Sequence, residues 1–417
     1  MNRVVCIPDL LRGTRAFPEG FFDLVREPIA QGCGIHIGHP PPARNQCSLP
    51  GFDILHFHGL LGLDSTGDKR VASSWTRSYH SLRNGERAID YLFSCVPPAA
   101  LVLSFEMPPW FKSSCNERGV HYLDLRASPL RFGRDLYVAI ATSCADLRGR
   151  LATQSVSAEE LRLEAALLSA NVRMHLRRLR EFGELPPEED GSLDESLIFV
   201  GQASFDASIV SPHEGRPLRA DDFAEKLRTL ADGRRVLHKA HPYAVEFGRE
   251  ERVALSKLLG RQVHEVHANA YQILSTLDSL EFVGISSGLL QEAPWFDKQA
   301  HILFRPFVPL SQDPGSNYVG ELYQQVRFQD LIAPGFWHKL LTPESPAPRL
   351  PALPPLPHHH ARETLDQWWD YEKVLTWRRS LPHAAFERLG GGLLRGRIEQ
   401  LQGELRELRD GLRTNRP

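Results

Sequence analysis

The sequence predicts an α/β protein built from two Rossmann-like units that face a cleft, followed by an amphipathic helical tail. Short apolar runs with β-branched residues alternate with turn-rich and helical pieces in both halves. An acidic stretch containing Pro186, Pro187 and Gly191 separates those halves, and leucines recur at spacings of three and four near the C-terminus.

A chain of 417 residues, 42% hydrophobic and with a mean hydropathy of −0.30, is long enough to bury the cores of two or three domains. Its 49 basic and 51 acidic residues nearly cancel, so no global field points to nucleic acid, and an anionic ligand must be caught locally. The six cysteines are scattered with no CxxC pair, which argues against a disulfide framework and a zinc site and fits a reducing cytoplasm. The opening MNRVVCIPDLL lacks the apolar core of a signal peptide, and no apolar run reaches the ~18 residues of a membrane span.

Residues 1–190 are expected to form the first unit. Arg3 to Ile7, Asp53 to Phe57, Ala100 to Phe105 and Leu136 to Ala141 read as strands, with Val120 to Leu125 a weaker one, giving a largely parallel sheet. In GFDILHFHGLLG an extended reading puts His56 and His58 on one face, with Gly59 allowing a tight turn; His58 is a candidate on the acceptor side, and a packed, hydrogen-bonded histidine is the bland alternative. LVLSFEMPPWF ends at Glu106 just beyond an apolar strand, a place suited to a general base and equally to an N-cap or salt-bridge partner. Residues 157–182 carry Ser157 and Glu160 as a capping box, then an apolar stripe of Leu161, Ala165, Leu168 and Val172 ending in arginines, which reads as a helix with a solvated basic face.

Glu184 to Glu195 reads as the linker, and 191–341 as the second unit. Strands are expected at Leu197 to Val200, Arg235 to Lys239, Leu280 to Ile285 and Ala300 to Phe304, with helices at Asp221 to Ala231 and Glu250 to Leu259. The strand ends offer Gln202, Asp206 and Ser208, then His238, Lys239 and His241, then Ser286, Ser287 and Glu292. A carboxylate for nucleophilic or base chemistry, cations and donors for a phosphate, and hydroxyls at a helix start thus recur at successive strand ends of one unit. Alternation along the strand points His238 away from Lys239.

The tail divides into a Pro-rich linker (342–362), a helix at 363–389 that packs back on the body through Trp368, Tyr371 and Leu375, and a coiled-coil-like helix at 390–417. Leu394, Ile398, Leu401, Leu405, Leu408 and Leu412 form a stripe that wants a partner helix, in a homo-oligomer or a further module. The histidines 358–360 read as a solvated linker end.

GQASFDASIV, VLHKAHPYA and GISSGLLQEAPWFDKQAHILFRPF resemble three successive motifs of the capsule polysaccharide synthesis family of retaining β-Kdo glycosyltransferases. The matched residues are Gln202, Asp206, Ser208, Lys239, His241, Pro242, Ser287, Glu292 and Ala293. Gly201 stands where an Asp is common and Leu290 where a Gly is common. A Glu-x-Gly-like motif corresponds more thinly to Glu106-Met107-Pro108. The resemblance covers about residues 50 to 310 and is strong from 197 to 307.

It implies a GT-B-type enzyme that takes Kdo from CMP-β-Kdo with retention and needs no metal or other cofactor, the donor lying on the C-terminal unit and the acceptor on the N-terminal one. Asp206 would be the nucleophile and Glu106 the base toward the acceptor hydroxyl. Lys239, His241, Ser286 and Ser287 would hold the CMP phosphate, Glu292 the ribose, and His238 would be a further donor-site residue. The acceptor would be a lipid-linked bacterial glycan, an O-antigen or capsule chain met at the cytoplasmic face of the inner membrane. Another CMP-sugar transferase, sialyltransferase-like, and a non-catalytic scaffold of a polysaccharide-synthesis complex are the alternatives.

Overall fold

The computed structural model describes residues 3–7, 10–11, 17–35, 37, 49–62, 75–82, 85–133, 135–181, 193–203, 206–241, 244–314 and 318–347. Most of the interdomain linker, most of the Pro-rich segment and both expected tail helices lie outside the described residues.

Along the first half run β1 (Val4–Ile7), α1 (Phe17–Cys33), α2 (Ile54–Leu61), α3 (Trp75–Tyr79), α4 (Glu86–Cys95), β2 (Leu101–Phe105), α5 (Pro109–Glu117), β3 (Tyr122–Ala127), β4 (Tyr137–Thr142), α6 (Ala145–Ala152) and α7 (Ala158–Glu181). The second half holds β5 (Leu197–Val200), α8 (Ala224–Ala231), β6 (Val236–Lys239), α9 (Val245–Leu259), β7 (His264–Glu265), α10 (Ala270–Ser275), β8 (Glu281–Gly284), α11 (Gly288–Glu292), β9 (Gln299–Ile302), β10 (Gln324–Arg327), α12 (Phe328–Leu331) and α13 (Pro334–Leu341). Among the described residues no helix is long and apolar enough to cross a membrane.

The α/β class is as expected: two five-stranded sheets, ordered β1-β2-β3-β4-β10 and β7-β6-β5-β8-β9. The second is parallel throughout, and its strands, renumbered from β5 as one to five, lie in the order 3-2-1-4-5 of a Rossmann half. The first is mixed: β1, β2 and β3 are parallel, whereas β3–β4 and β4–β10 are antiparallel pairs.

Asp53 to Phe57 is not a strand. The Asp53 carboxylate accepts from the Leu55 N–H at 2.8 Å and starts α2, which ends at Gly62 with φ 65°; Gly59 lies inside the helix and makes no turn. Side chains two apart on a helix do not share a face, so His56 is exposed against the Tyr91 ring and His58 turns inward. α9 begins five residues before the expected Glu250. Gly248 inside it leaves no side chain between the helix and Ala240, whose Cβ would lie 3.0 Å from an added one, so the helix sits close on β6.

Strands β1 to β4 and β5 to β9 divide at the expected linker, but β10 and several helices cross it. α7 packs its Leu161, Ala165 and Val172 into a core with Ile198, Val200 and Phe282 of the second sheet. β10 pairs antiparallel with β4, and α13 buries Phe336, Trp337 and Leu340 against Val25 and Ile29 of α1. Residues 324–341, read from sequence as second unit, therefore complete the first. The Ser157 hydroxyl accepts from the Glu160 N–H at 3.2 Å as the capping box requires, while the Glu160 carboxylate pairs with Arg327 at the end of β10.

Candidate active site

In a 3-2-1-4-5 sheet the crevice opens at the carboxyl ends of the two strands where the order reverses, here β5 and β8. Gln202, two residues past β5, is buried across that gap. Its Nε2 donates to Ser208 Oγ at 2.5 Å and to the Ser286 carbonyl at 3.3 Å, and its Oε1 accepts from the Ser286 N–H at 3.1 Å. One amide thus fixes the segment after β5 to the segment after β8.

Asp206 lies on the segment so braced. Its Oδ1 accepts from the Ser208 N–H at 2.9 Å and caps a short 3₁₀ turn over 207–209, and its side chain is half-buried. The turn is gripped from two directions. Arg305, after β9, donates through Nε to the Ser208 carbonyl at 2.9 Å and through Nη2 to the Ala207 carbonyl at 3.0 Å. From the first unit, Trp75 and Tyr79 of α3 pack on Ala207 and Val210, and His80 Nε2 lies 2.9 Å from the Val210 carbonyl.

Lys239 ends β6, and His241, two residues on, feels the charge of Asp206. Burial pushes His241 down to about 4, with Asp206 opposing and Arg131 reinforcing the shift, so at neutral pH it is a neutral imidazole and not the cation expected. Burial also lowers the Lys239 ammonium, against the pull of Glu265. Ser286 is fully buried and its Oγ has no partner in the fold, while Ser287 starts α11 and is half-exposed. α11 is five residues long, too short for a helix field of consequence.

Two predicted donor-site residues brace the fold. His238 is fully buried, stacked 6.1 Å from Phe199, with its Nε2 2.9 Å from Glu251 of α9. This pair accounts for Gly201: a Cβ there would lie 2.7 Å from Glu251 Oε2 and 3.2 Å from His238 Nε2, so the carboxylate of α9 occupies the space an Asp side chain would need. Glu292 is 4% exposed and accepts on Oε1 from the Arg131 N–H at 2.6 Å and from Tyr271 Oη at 2.9 Å, pinning the 128–132 loop of the first unit to the second.

Burial pushes Glu292 up to about 7 from an ordinary 4.5, with the Arg131 and Tyr271 bonds opposing. A carboxyl whose folded pKa is raised keeps a proton that the unfolded chain releases, so its stabilisation is full below pH 4.5 and lost as pH rises through 7. Glu292→Gln is expected to remove a fall of roughly 3 kcal/mol across that window, read from urea unfolding at a series of pH values. An unchanged pH slope would contradict it.

On the first sheet Glu106 directly follows β2 with φ 54°, a left-handed conformation that a non-glycine residue adopts at a cost of about 1 kcal/mol or more. Its backbone N–H donates to the Leu125 carbonyl at 2.8 Å, and Met107 N–H donates to Asp124 Oδ1 at 2.8 Å. The missing glycine of the Glu-x-Gly-like pattern is no obstacle, because the left-handed residue is the Glu itself. His58 Nε2 lies 2.8 Å from the Leu10 carbonyl, in the loop after β1 on the same carboxyl edge as Glu106.

Behind Glu106 sits a buried charge network that sequence reading missed. Fully buried Asp124 takes Lys112 Nζ at 2.7 Å, Arg126 Nε at 3.1 Å and Tyr323 Oη at 2.5 Å on one oxygen, and Lys112 also meets Glu321. Burial alone would raise the Asp124 carboxyl; Lys112 and Arg126 hold it below its ordinary value. Arg126 feels the charge of Glu106 and bears on Arg305, which in turn feels Asp206. Asp206 follows β5 and Glu106 follows β2, each beyond the carboxyl end of a strand of its own sheet. A cavity of about 350 Å³ is lined by Arg216, Pro217, Leu218, Arg219 and Phe247 and includes none of the predicted residues.

No protein-family model matches the chain, and no curated protein matches it. Two solved structures from Thermosulfurimonas dismutans are similar. One is a KpsC β-Kdo 2,7 transferase, with 17% identity and a TM-score of 0.31 over 60% of this chain and 80% of that one. The other is a KpsC β-Kdo 2,4 transferase, with 14% identity and a TM-score of 0.30 over 58% and 79%.

Proposed function

We propose that this chain is a retaining glycosyltransferase that moves Kdo from CMP-β-Kdo to a hydroxyl of a bacterial surface glycan. The observation that carries the reading is the placement of Asp206: a capped carboxylate at the strand-order reversal of the second sheet, braced by Gln202.

Retention follows from two inversions. Asp206 attacks the anomeric carbon, the bond to the CMP phosphate breaks, and a glycosyl ester forms on the carboxylate. Glu106 then takes the proton of the acceptor hydroxyl, whose oxygen attacks the same carbon and releases Asp206. Lys239 offsets phosphate charge, with neutral His241 and the hydroxyls of Ser286 and Ser287 as donors. His238 and Glu292 position these groups from behind. The acceptor lies on the first unit, on the edge that holds Glu106 and His58, and a lipid-linked glycan would bring the protein to the cytoplasmic face of the inner membrane.

CMP release from CMP-Kdo and from CMP-N-acetylneuraminate, with a glycan acceptor and product anomers read by NMR, tests the proposal. Turnover of CMP-Kdo alone and a β-linked product are expected. An α-linked product contradicts retention. Turnover of the neuraminate donor contradicts the sugar, and binding without release contradicts catalysis.

A further inference from the structure

The cavity lined by Arg216, Pro217, Leu218, Arg219 and Phe247 has no task in the proposed reaction, and its volume of about 350 Å³ falls at the lower end of the ~300–1,000 Å³ of ligand pockets. Two elements build it, and each continues a motif of the candidate site. After the turn capped by Asp206 the chain doubles back: Val210 bridges Pro217, and the Ser211 and Leu218 N–H groups donate to the Arg216 and Ile209 carbonyls at 2.8 Å each. A Cβ on Gly215 would lie 2.8 Å from Arg77 Cα, so this hairpin rests on α3 of the first unit. The other wall is Phe247, in the first turn of α9, six residues past His241.

The polar wall is fixed and balanced. Arg216 meets Asp222 through two bonds, Nη2 to Oδ1 at 2.7 Å and Nη1 to Oδ2 at 3.0 Å, and also pairs with Glu214. Asp222 Oδ2 takes the Arg219 N–H at 2.7 Å as well, which ties the fork to the backbone. Two guanidiniums thus stand with two carboxylates, and an anion entering the cavity gains little from them. Pro217, Leu218 and Phe247 are half-buried and supply the apolar wall. Apolar faces beside fixed hydrogen-bonding groups match a pyranose ring, which offers a C–H face to an aromatic side chain and adjacent hydroxyls that both donate and accept.

We propose that this cavity binds an uncharged sugar residue of the acceptor glycan, other than the residue that reacts. The proposal rests on the proposed function for the source of the sugar and on the cavity for its class. The contact of the hairpin with α3 brings one wall against the unit assigned to the acceptor. The walls follow β5 and β6, whereas the strand order reverses between β5 and β8, which leaves the reversal to the donor.

Saturation-transfer NMR on the full chain tests it, with the methyl glycosides of glucose, galactose, mannose, rhamnose and N-acetylglucosamine, with glucose 6-phosphate, and with CMP as competitor. The variants are Phe247→Ala and Arg219→Ala, their folding checked by circular dichroism. Arg219 is exposed, so its variant is expected to fold, and Phe247→Leu replaces Phe247→Ala should the latter not. At least one neutral glycoside should receive saturation at its ring C–H protons. Its affinity should fall by about fivefold or more in Phe247→Ala, and by about threefold in Phe247→Leu or Arg219→Ala. CMP should not displace it, and glucose 6-phosphate should bind no more tightly than methyl glucoside.

No saturation of any neutral glycoside, unchanged affinity in a folded variant, displacement by CMP, or tighter binding of the phosphate would each overturn the site. If the glycosides bind as expected and CMP-Kdo is not turned over, the site holds and the Kdo reading fails. If CMP-Kdo is turned over and no glycoside binds, the function holds and the site fails.

Discussion

Asp206→Asn is expected to lower transfer by at least roughly 10⁴-fold, the scale on which removal of a covalent nucleophile acts. Asn is chosen because Asp206 also has a structural task. Its Oδ1 caps the turn over 207–209, and an Asn oxygen can accept the same N–H from Ser208. Asp and Asn are near-equal at such positions, whereas Ala costs about 1 kcal/mol. The Asn variant should therefore unfold at a urea midpoint close to wild type while CMP release collapses. Asp206→Ala should lose the activity and, in addition, about 1 kcal/mol of stability. A tenfold loss or less in a folded Asn variant would reduce Asp206 to a capping residue.

Asp124→Asn carries the largest expected effect on stability. The Asp124 carboxylate is fully buried and meets Lys112, Arg126, Tyr323 and the Met107 N–H at 2.5–3.1 Å. Neutralising it leaves the Lys112 ammonium with Glu321 and strips the Arg126 guanidinium of its salt-bridge partner, and removing one partner of a buried ion pair costs about 3–5 kcal/mol. Because the folded carboxyl is held below 3.8, its contribution is present above that pH and lost as pH falls through the lower folded value. Unfolding at pH 7 should show the deficit, and it should shrink in acid. The Met107 N–H and Arg126 flank Glu106, so residual transfer should fall as well. A change of less than about 1 kcal/mol would mean that the network is solvated, as exposed ion pairs are.

The alternation of short apolar runs with helical pieces was enough to place most strands, because a buried parallel strand is a near-continuous run of apolar residues and the chain writes it so at Leu101–Phe105, broken only by Ser104, and at Leu197–Val200. Where periodicity is short the reading failed. The run after Asp53 fits strand or helix equally, and the Asp cap decided it. β10, Gln324–Arg327, is polar at three of its four positions and finds its partner β4 nearly two hundred residues earlier, a pairing no local pattern encodes. The same limit applies to the site. Asp206, Gln202 and Ser208 lie within one stretch and were legible together. Arg126, Arg305 and the Asp124 network draw their meaning from contacts up to about two hundred residues apart. His238 was correctly seen to point away from Lys239, but its partner Glu251 lies a helix away. That partner also explains why Gly201 departs from the family pattern.

The most direct measurement of the central claim is the intact mass of the protein after mixing with CMP-Kdo generated in situ and no acceptor, for the native chain and for Asp206→Ala. A single Kdo on the native chain, mapped to the Asp206 peptide, absent from the variant and discharged by added glycan, is the predicted result. An adduct that persists in Asp206→Ala, or a retained product formed with no adduct on the native chain, would contradict it.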